Sequence, residues 1–173
     1  MIYYWLHMFY IYLGAKLFWN KVDMTTDLSR IRTVKILDCD SLRYMANSKY
    51  FYYMDFIRFE ILFRSKLFDN TFKKGIFPVL GSQKIIYKKP LKRWTKFKIT
   101  ISLEGWDDKW VYHSQTFKQK SEIYAVGYSK VAYWKNKKMT PHNLKYWYSS
   151  HTKAFPRLQS SFDQRVALQN ICG

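Results

Sequence analysis

Cysteine is nearly absent. Cys39 and Cys172 alone make no disulfide framework and have no metal-ligand spacing, which fits a reducing compartment. His7, His113, His142 and His151 are scattered without the spacing of a metal-binding set, so neither a metal nor another cofactor is expected. No glycine-rich phosphate loop occurs, and Gly127 with its neighbours does not form one. Internal repeats and low-complexity tracts are lacking. Long apolar runs are lacking too: a membrane span needs ~20 apolar residues, and the run from Met1 reaches Trp19 only by including Lys16. The same segment has neither the basic start nor the small-residue cleavage site of a secretion signal. Acidic residues are scarce, twelve against thirty Lys and Arg, for a net charge of +18.

What is present bounds the fold. A length of 173 residues suits one domain with a real core. At 48% hydrophobic and 20% aromatic residues, the chain can bury enough surface to exclude disorder. The positive excess favours an anionic partner: a phosphorylated ligand, acidic lipid or RNA. A solvated basic surface competes with that reading, because AT-rich codon usage raises Lys, Tyr, Phe and Ile together. Residues 1–22 form a separate aromatic segment, with Tyr3, Tyr4, Trp5, Phe9, Tyr10 and Tyr12 followed by Lys16 and Lys21. Aromatic residues with flanking lysines suit a membrane interface. The alternative is a helix packed on its own domain or on a second copy.

The chain then alternates between strand and helix signals. Ser29 to Leu37 reads as a first strand. Tyr50, Met54, Ile57 and Ile61 recur at helical spacing. With Phe51, Phe56, Phe59, Leu62 and Phe63, they make a helix buried on much of its surface. Phe68 to Thr71 and Lys73 to Gly75 read as a loop. Gly81 to Lys89 reads as a strand ended by Pro90. Phe97, Ile99, Ile101 and Leu103 alternate with Lys98, Thr100 and Ser102, the mark of a half-buried strand. Trp106 to Lys109 reads as a hairpin turn. Trp110 to Lys118 returns, and Glu122 to Trp134 is a last strand, with Gly127 at a bulge or a close backbone approach. Thr140 and Pro141 open a helix, and Ser160 or Ser161 caps another. The predicted order is one strand, one long buried helix and four strands joined by hairpins, an α+β arrangement. Residues 28–138 are the domain and 139–173 a helical tail.

The most informative stretch is Asp38-Cys39-Asp40, with Tyr44, Asn47, Ser48 and Tyr50 following. It places two carboxylates in a turn before a buried helix. Helix N-termini carry unpaired N–H groups and a positive partial charge. A carboxylate held there suits chemistry in which an oxygen gains negative charge. The plainer reading is that both Asp side chains cap the turn. Lys84, Lys88, Lys89, Lys92 and Arg93 cluster around the following strand, as an anion site or as a basic edge that discourages strand pairing. Tyr146 to Tyr148 beside Lys145 could stack on bases, but tertiary packing is the commoner explanation.

The Asp-x-Asp stretch with Asn47 and Tyr50 resembles the hotdog-fold acyl-CoA thioesterases of the 4-hydroxybenzoyl-CoA thioesterase type, in particular the branch around thioesterase superfamily member six. Pro78 to Ser82, Lys88 to Leu91 and Gly105 to Lys109 match further, so the resemblance spans Arg30 to Trp134. It implies an antiparallel sheet wrapped around one long central helix. It implies that Asp40 is the nucleophile or general base toward a thioester and that Asn47 offers its backbone N–H to the thioester oxygen. Asp38, Tyr44 and Ser48 would surround the substrate, and Lys84, Lys88, Lys89 and Arg93 would meet the CoA phosphates. Two positions depart from the branch: Tyr44 stands where His is usual, and Ala46 where Asn is usual. A Tyr, with pKa about 10, is a poor proton shuttle near neutrality. The resemblance also implies a homodimer, or a dimer of dimers. Arg58, on the long helix, is separately expected to meet an acid of a second copy.

Two functions follow. One is hydrolysis of a fatty-acyl or aryl thioester to free acid and CoA. The other is a non-catalytic hotdog subunit scaffolding a membrane or ribonucleoprotein assembly; only there does nucleic acid enter as a partner. Retained Asp38, Asp40 and Asn47 favour the first, and the charge and the lost His favour the second. Attachment to an anionic membrane surface on the cytoplasmic side is expected for the first, an organellar location for the second.

Overall fold

A computed structural model describes residues 2–40, 43–107, 109–135 and 138–139. The expected helices around Thr140 and Ser160, and the aromatic run Tyr146 to Tyr148, lie outside the described residues. The elements are α1 (Ile2–Leu13), a π-helical turn (Gly14–Phe18), β1 (Leu28–Thr33), a 3-10 turn (Ile36–Asp38), α2 (Asn47–Arg64), α3 (Lys66–Phe72), β2 (Ile76–Tyr87), β3 (Lys96–Trp106), β4 (Val111–Gln119), β5 (Glu122–Lys135) and β6 (Lys138–Met139). The sheet is antiparallel, in the order β1-β3-β4-β5-β2, with β6 paired to β5. This is the α+β hotdog fold, with one long helix against the concave face of the sheet.

The helical spacing read in the sequence is what seats α2. Tyr50, Met54, Ile57 and Ile61 are all buried, as are Tyr53, Phe56 and Leu62. They meet Phe97, Ile99, Ile101 and Phe117 from alternate positions of β3 and β4. Gly127 marks a close approach rather than a bulge: a Cβ there would lie 2.3 Å from the Met54 Cε. The register slips fall elsewhere: at Gly81 in β2, between Leu103 and Gly105 in β3, and in β5 between Ile123 and Ala125.

Three boundaries differ from the sequence reading. β1 stops at Thr33, because the chain curls into the 3-10 turn, where Asp38 Oδ2 accepts the Lys35 N–H at 2.9 Å. Phe68 to Thr71, expected as a loop, is helical in α3. Tertiary packing overrides the turn-forming residues there: Phe68 packs edge-on against Phe63 and Phe72 against Phe77. β2 begins at Ile76 and contains Pro78. An edge strand tolerates a residue without an N–H, and β2 pairs with β5 alone among the described residues.

α1 packs along α2 through Tyr4 and His7 on Phe56 and Tyr12 on Phe63. Burial, and then Arg32 and Lys35, push the His7 imidazole down to about 4, so it is neutral at this interface. The opposite side of α1 and the turn after it present Trp5, Leu6, Phe9, Leu17 and Phe18 to solvent.

A buried ion cluster ties the layers together. The Glu60 carboxylate, 1% exposed, accepts Arg30 Nε from β1 at 2.8 and 2.9 Å and Arg64 Nη1 from its own helix at 2.8 Å. Arg64 Nε also donates to the Asn20 carbonyl at 2.9 Å, and both guanidinium groups lie over the Trp19 ring. Breaking a buried pair by removing one partner typically costs about 3–5 kcal/mol. Arg30 keeps 30% of its side-chain exposure, which points to the low end. Glu60→Ala should therefore lose roughly 3 kcal/mol of unfolding free energy in urea with an unchanged denaturant slope. A loss below about 1 kcal/mol, the range of exposed pairs, would show that the cluster is not a structural anchor.

Candidate active site

The loop carrying Asp40 is built from both sides. Behind it, Asp38 is 2% exposed. Its Oδ2 accepts Tyr53 O–H from α2 at 2.9 Å as well as the Lys35 N–H, and Lys49 Nζ approaches Oδ1 at 3.8 Å. Burial foremost, and then the Asp38 charge, push the Tyr53 phenol far above its ordinary value, so it remains a hydrogen-bond donor. The Asp38 carbonyl accepts the Ala46 N–H at 2.8 Å. Asp38 thus joins the 3-10 turn to the start of α2, and its side chain faces the protein.

The Asp40 side is different. Cys39 and Met45 form a bridge across the loop, and Tyr44 bridges to Lys92. Met45 N–H donates to the Leu91 carbonyl at 2.9 Å, and Arg93 N–H donates to the Arg43 carbonyl at 2.9 Å. The strap after β2 therefore holds the loop as a short added strand. The Tyr50 hydroxyl oxygen accepts the Leu91 N–H at 3.2 Å, fixing the strap to the first turns of α2. Asp40 is exposed on this frame. Burial, Asp38 and Asp40 raise the Cys39 thiol while Arg93 opposes them, which places that guanidinium within electrostatic reach of the loop.

Asn47 is the first residue of α2 and is exposed, with Ser48 beside it. Ala46 occupies the cap position and makes no side-chain cap bond. A capping side chain is worth about 1 kcal/mol; here the Lys49 N–H turns back to the Ala46 carbonyl at 2.9 Å, and no side chain at the cap position takes up the N–H groups before it. Ala46 thus leaves the start of α2 without a side-chain cap.

Asp38, Asp40, Tyr44, Asn47 and Ser48 come together at one end of α2. Tyr44 is half-buried, with Arg43 over its ring at 5.9 Å. Of the basic candidates, Arg93 lies on the strap segment that holds the loop. Lys88 and Lys89 start the strap, both N–H groups donating to the Tyr124 carbonyl, and the Lys89 ammonium is ion-paired with Glu122. Lys84 stands apart, within β2 opposite Tyr128. Arg58 pairs with Asp55 of its own helix. Sequence reasoning missed Tyr53 and Lys49 as supports of Asp38. The signal was there: Tyr50 and Tyr53 share a helix face, and Lys49 follows the helix start.

A sequence model described as the thioesterase-like superfamily matches residues 34–168. Protein THEM6 from Xenopus laevis is 39% identical over 80 residues, which is 46% of this chain; the match spans only 39% of that relative's own length. The probable thioesterase YbaW from Escherichia coli superposes with a TM-score of 0.66 at 17% identity, over 73% of this chain and 97 to 99% of the solved chains' lengths when an Aquifex aeolicus protein of TM-score 0.63 and 22% identity, covering 70% of this chain, is set beside it. At such identities the superpositions establish the fold. The match across nearly the whole domain, on a frame that presents Asp40 and a helix start without a side-chain cap, establishes more: this chain belongs to the thioesterase-like superfamily.

Proposed function

We propose that this protein hydrolyses an acyl-coenzyme A thioester, fatty-acyl or aryl, to free acid and CoA. The observation that carries the reading is the Asp40 loop, strapped by Leu91 to Arg93 beside an uncapped helix N-terminus. Asp40 acts as nucleophile or as general base toward water. The Asn47 N–H stabilises the oxyanion as the carbonyl carbon becomes tetrahedral. Arg93 and the neighbouring lysines offer cations to the CoA phosphates. A likeness to a gentisyl-coenzyme A thioesterase, with a TM-score of 0.58 at 20% identity over 67% of this chain and 96% of that one, supports a CoA thioester as the substrate class. In a panel of acyl-CoA chain lengths and aryl-CoA esters, Asp40→Ala should slow CoA release by about 10²–10⁴-fold. Equal, slow release by wild type and variant throughout the panel would remove the enzymatic reading and leave the scaffolding subunit.

The active form is a homodimer on this reading. The β2 edge carries exposed Phe77, Val79 and Leu80, and an apolar edge unpaired among the described residues invites strand pairing, most simply around a two-fold axis. Sedimentation should show a dimer at micromolar concentration, and Val79→Lys should shift it to monomer. A wild-type monomer throughout that range overturns the assembly.

We also propose monotopic attachment to an anionic membrane. No described helix is long and apolar enough to cross a membrane, but the exposed Trp5, Leu6, Phe9 and Phe18 belong to a basic chain of net charge +18. Each basic residue near such a surface adds about 1 kcal/mol and is screened by salt, so apolar insertion dominates in high salt. The full chain should float with anionic liposomes in high salt, and a Trp5→Ser/Phe9→Ser/Phe18→Ser variant should not. Equal flotation of both, or of neither, rejects the anchor.

A further inference from the structure

Toward the C-terminal half of α2, away from the Asp40 loop, a cavity of about 170 Å³ lies between that helix and the sheet. Arg58 is eleven residues beyond Asn47, roughly 16 Å along the helix axis. Most of the wall is apolar, with Met24, Phe59, Leu62 and Val131 contributing. One part is not: Asp55 and Arg58 of α2 and His113 of β4 also line it.

These groups are incompletely satisfied. Arg58 gives Nη2 to Asp55, while its Nη1 is buried and finds no hydrogen-bond partner among the described residues. His113 is 2% exposed, and neither ring nitrogen has a partner. Burial, and then the Arg58 charge, push its imidazole down to about 3, so it is neutral and offers one N–H donor and one acceptor. Buried polar groups in native proteins are overwhelmingly paired. Two side chains with donors unpaired among the described residues, one from the helix and one from the sheet, line the same cavity and call for an acceptor-bearing occupant.

We propose that this cavity binds a small carboxylic acid: an apolar body of about one aromatic ring whose carboxylate accepts hydrogen bonds from Arg58 Nη1 and the His113 N–H. The size follows from volume, since an apolar cavity of about 150 Å³ accepts benzene. The headgroup follows from the donors, because a guanidinium N–H to a carboxylate is among the stronger hydrogen bonds available. Asp55 keeps its place on Nη2, so the guanidinium serves both carboxylates.

Calorimetric titration of the full chain with benzoate tests this, with toluene as the ring lacking an acceptor. Two variants leave the net charge unchanged and so preserve non-specific attraction to the basic surface: His113→Phe, and the double substitution Asp55→Leu/Arg58→Met. Both replace polar groups by apolar ones of similar volume, a change that buried ion pairs often tolerate without loss of stability. Benzoate should bind once per chain, at least about tenfold more tightly than toluene, and each variant should lose that preference while its thermal unfolding remains cooperative. Labelled His113 ring nitrogens should also shift on benzoate addition in wild type. No saturable benzoate binding, or equal binding by wild type and both variants, or toluene binding as tightly as benzoate, overturns the proposal; the first result would assign the cavity to water alone.

Discussion

Asp38 is the constraint on which the candidate site depends. A buried carboxylate is expensive unless its lone pairs are occupied, and here a backbone N–H, a phenol and a nearby ammonium occupy them. Those partners come from the turn before the loop and from the first two turns of α2. The same residue's carbonyl receives the Ala46 N–H. The start of α2 therefore has one position relative to the end of β1. Asp40, two residues on, inherits that position without itself being buried. In Asp-x-Asp, one carboxylate is structural and the other meets solvent.

This division explains how much of the site was legible in the sequence. The turn, the helix beginning at Asn47 and the alternation from Phe97 to Leu103 follow from local periodicity, and all are present. Tyr53 is different: by periodicity it is one more apolar position on a buried helix. Its hydroxyl matters only because the 3-10 turn brings Asp38 back onto that face. Lys49 was missed for the same reason. Arg58 was expected to meet an acid of a second copy; within this chain its Nη2 pairs with Asp55, one turn earlier on the same helix. α3 was lost to its own composition, since Asp69, Asn70 and Thr71 form turns unless neighbouring aromatic rings hold them in a helix.

Electrostatics divides the molecule in a way the net charge conceals. The basic strap of Lys88 to Arg93 is an exposed, solvated feature bound to the loop through its backbone. The Arg30, Glu60 and Arg64 cluster is desolvated and covered by Trp19. Only the second contributes appreciably to rigidity, because water screens the first. The strap is thus free to present cations outward while its main chain supports Asp40.

The sheet order has a consequence for how the chain assembles. β3, β4 and β5 follow one another as hairpins and pair with neighbours in sequence. β1 must instead wait for β3, with Leu28 meeting Ile101, and the Asp40 loop must wait for Leu91 to Arg93. Closing long loops costs entropy before their contacts repay it. During synthesis, the Asp40 loop and the apolar face of α2 emerge before β3 and stay without its support until it has been made. The Asp40 loop is therefore made before the strand and strap that fix it, and is set in place only after them.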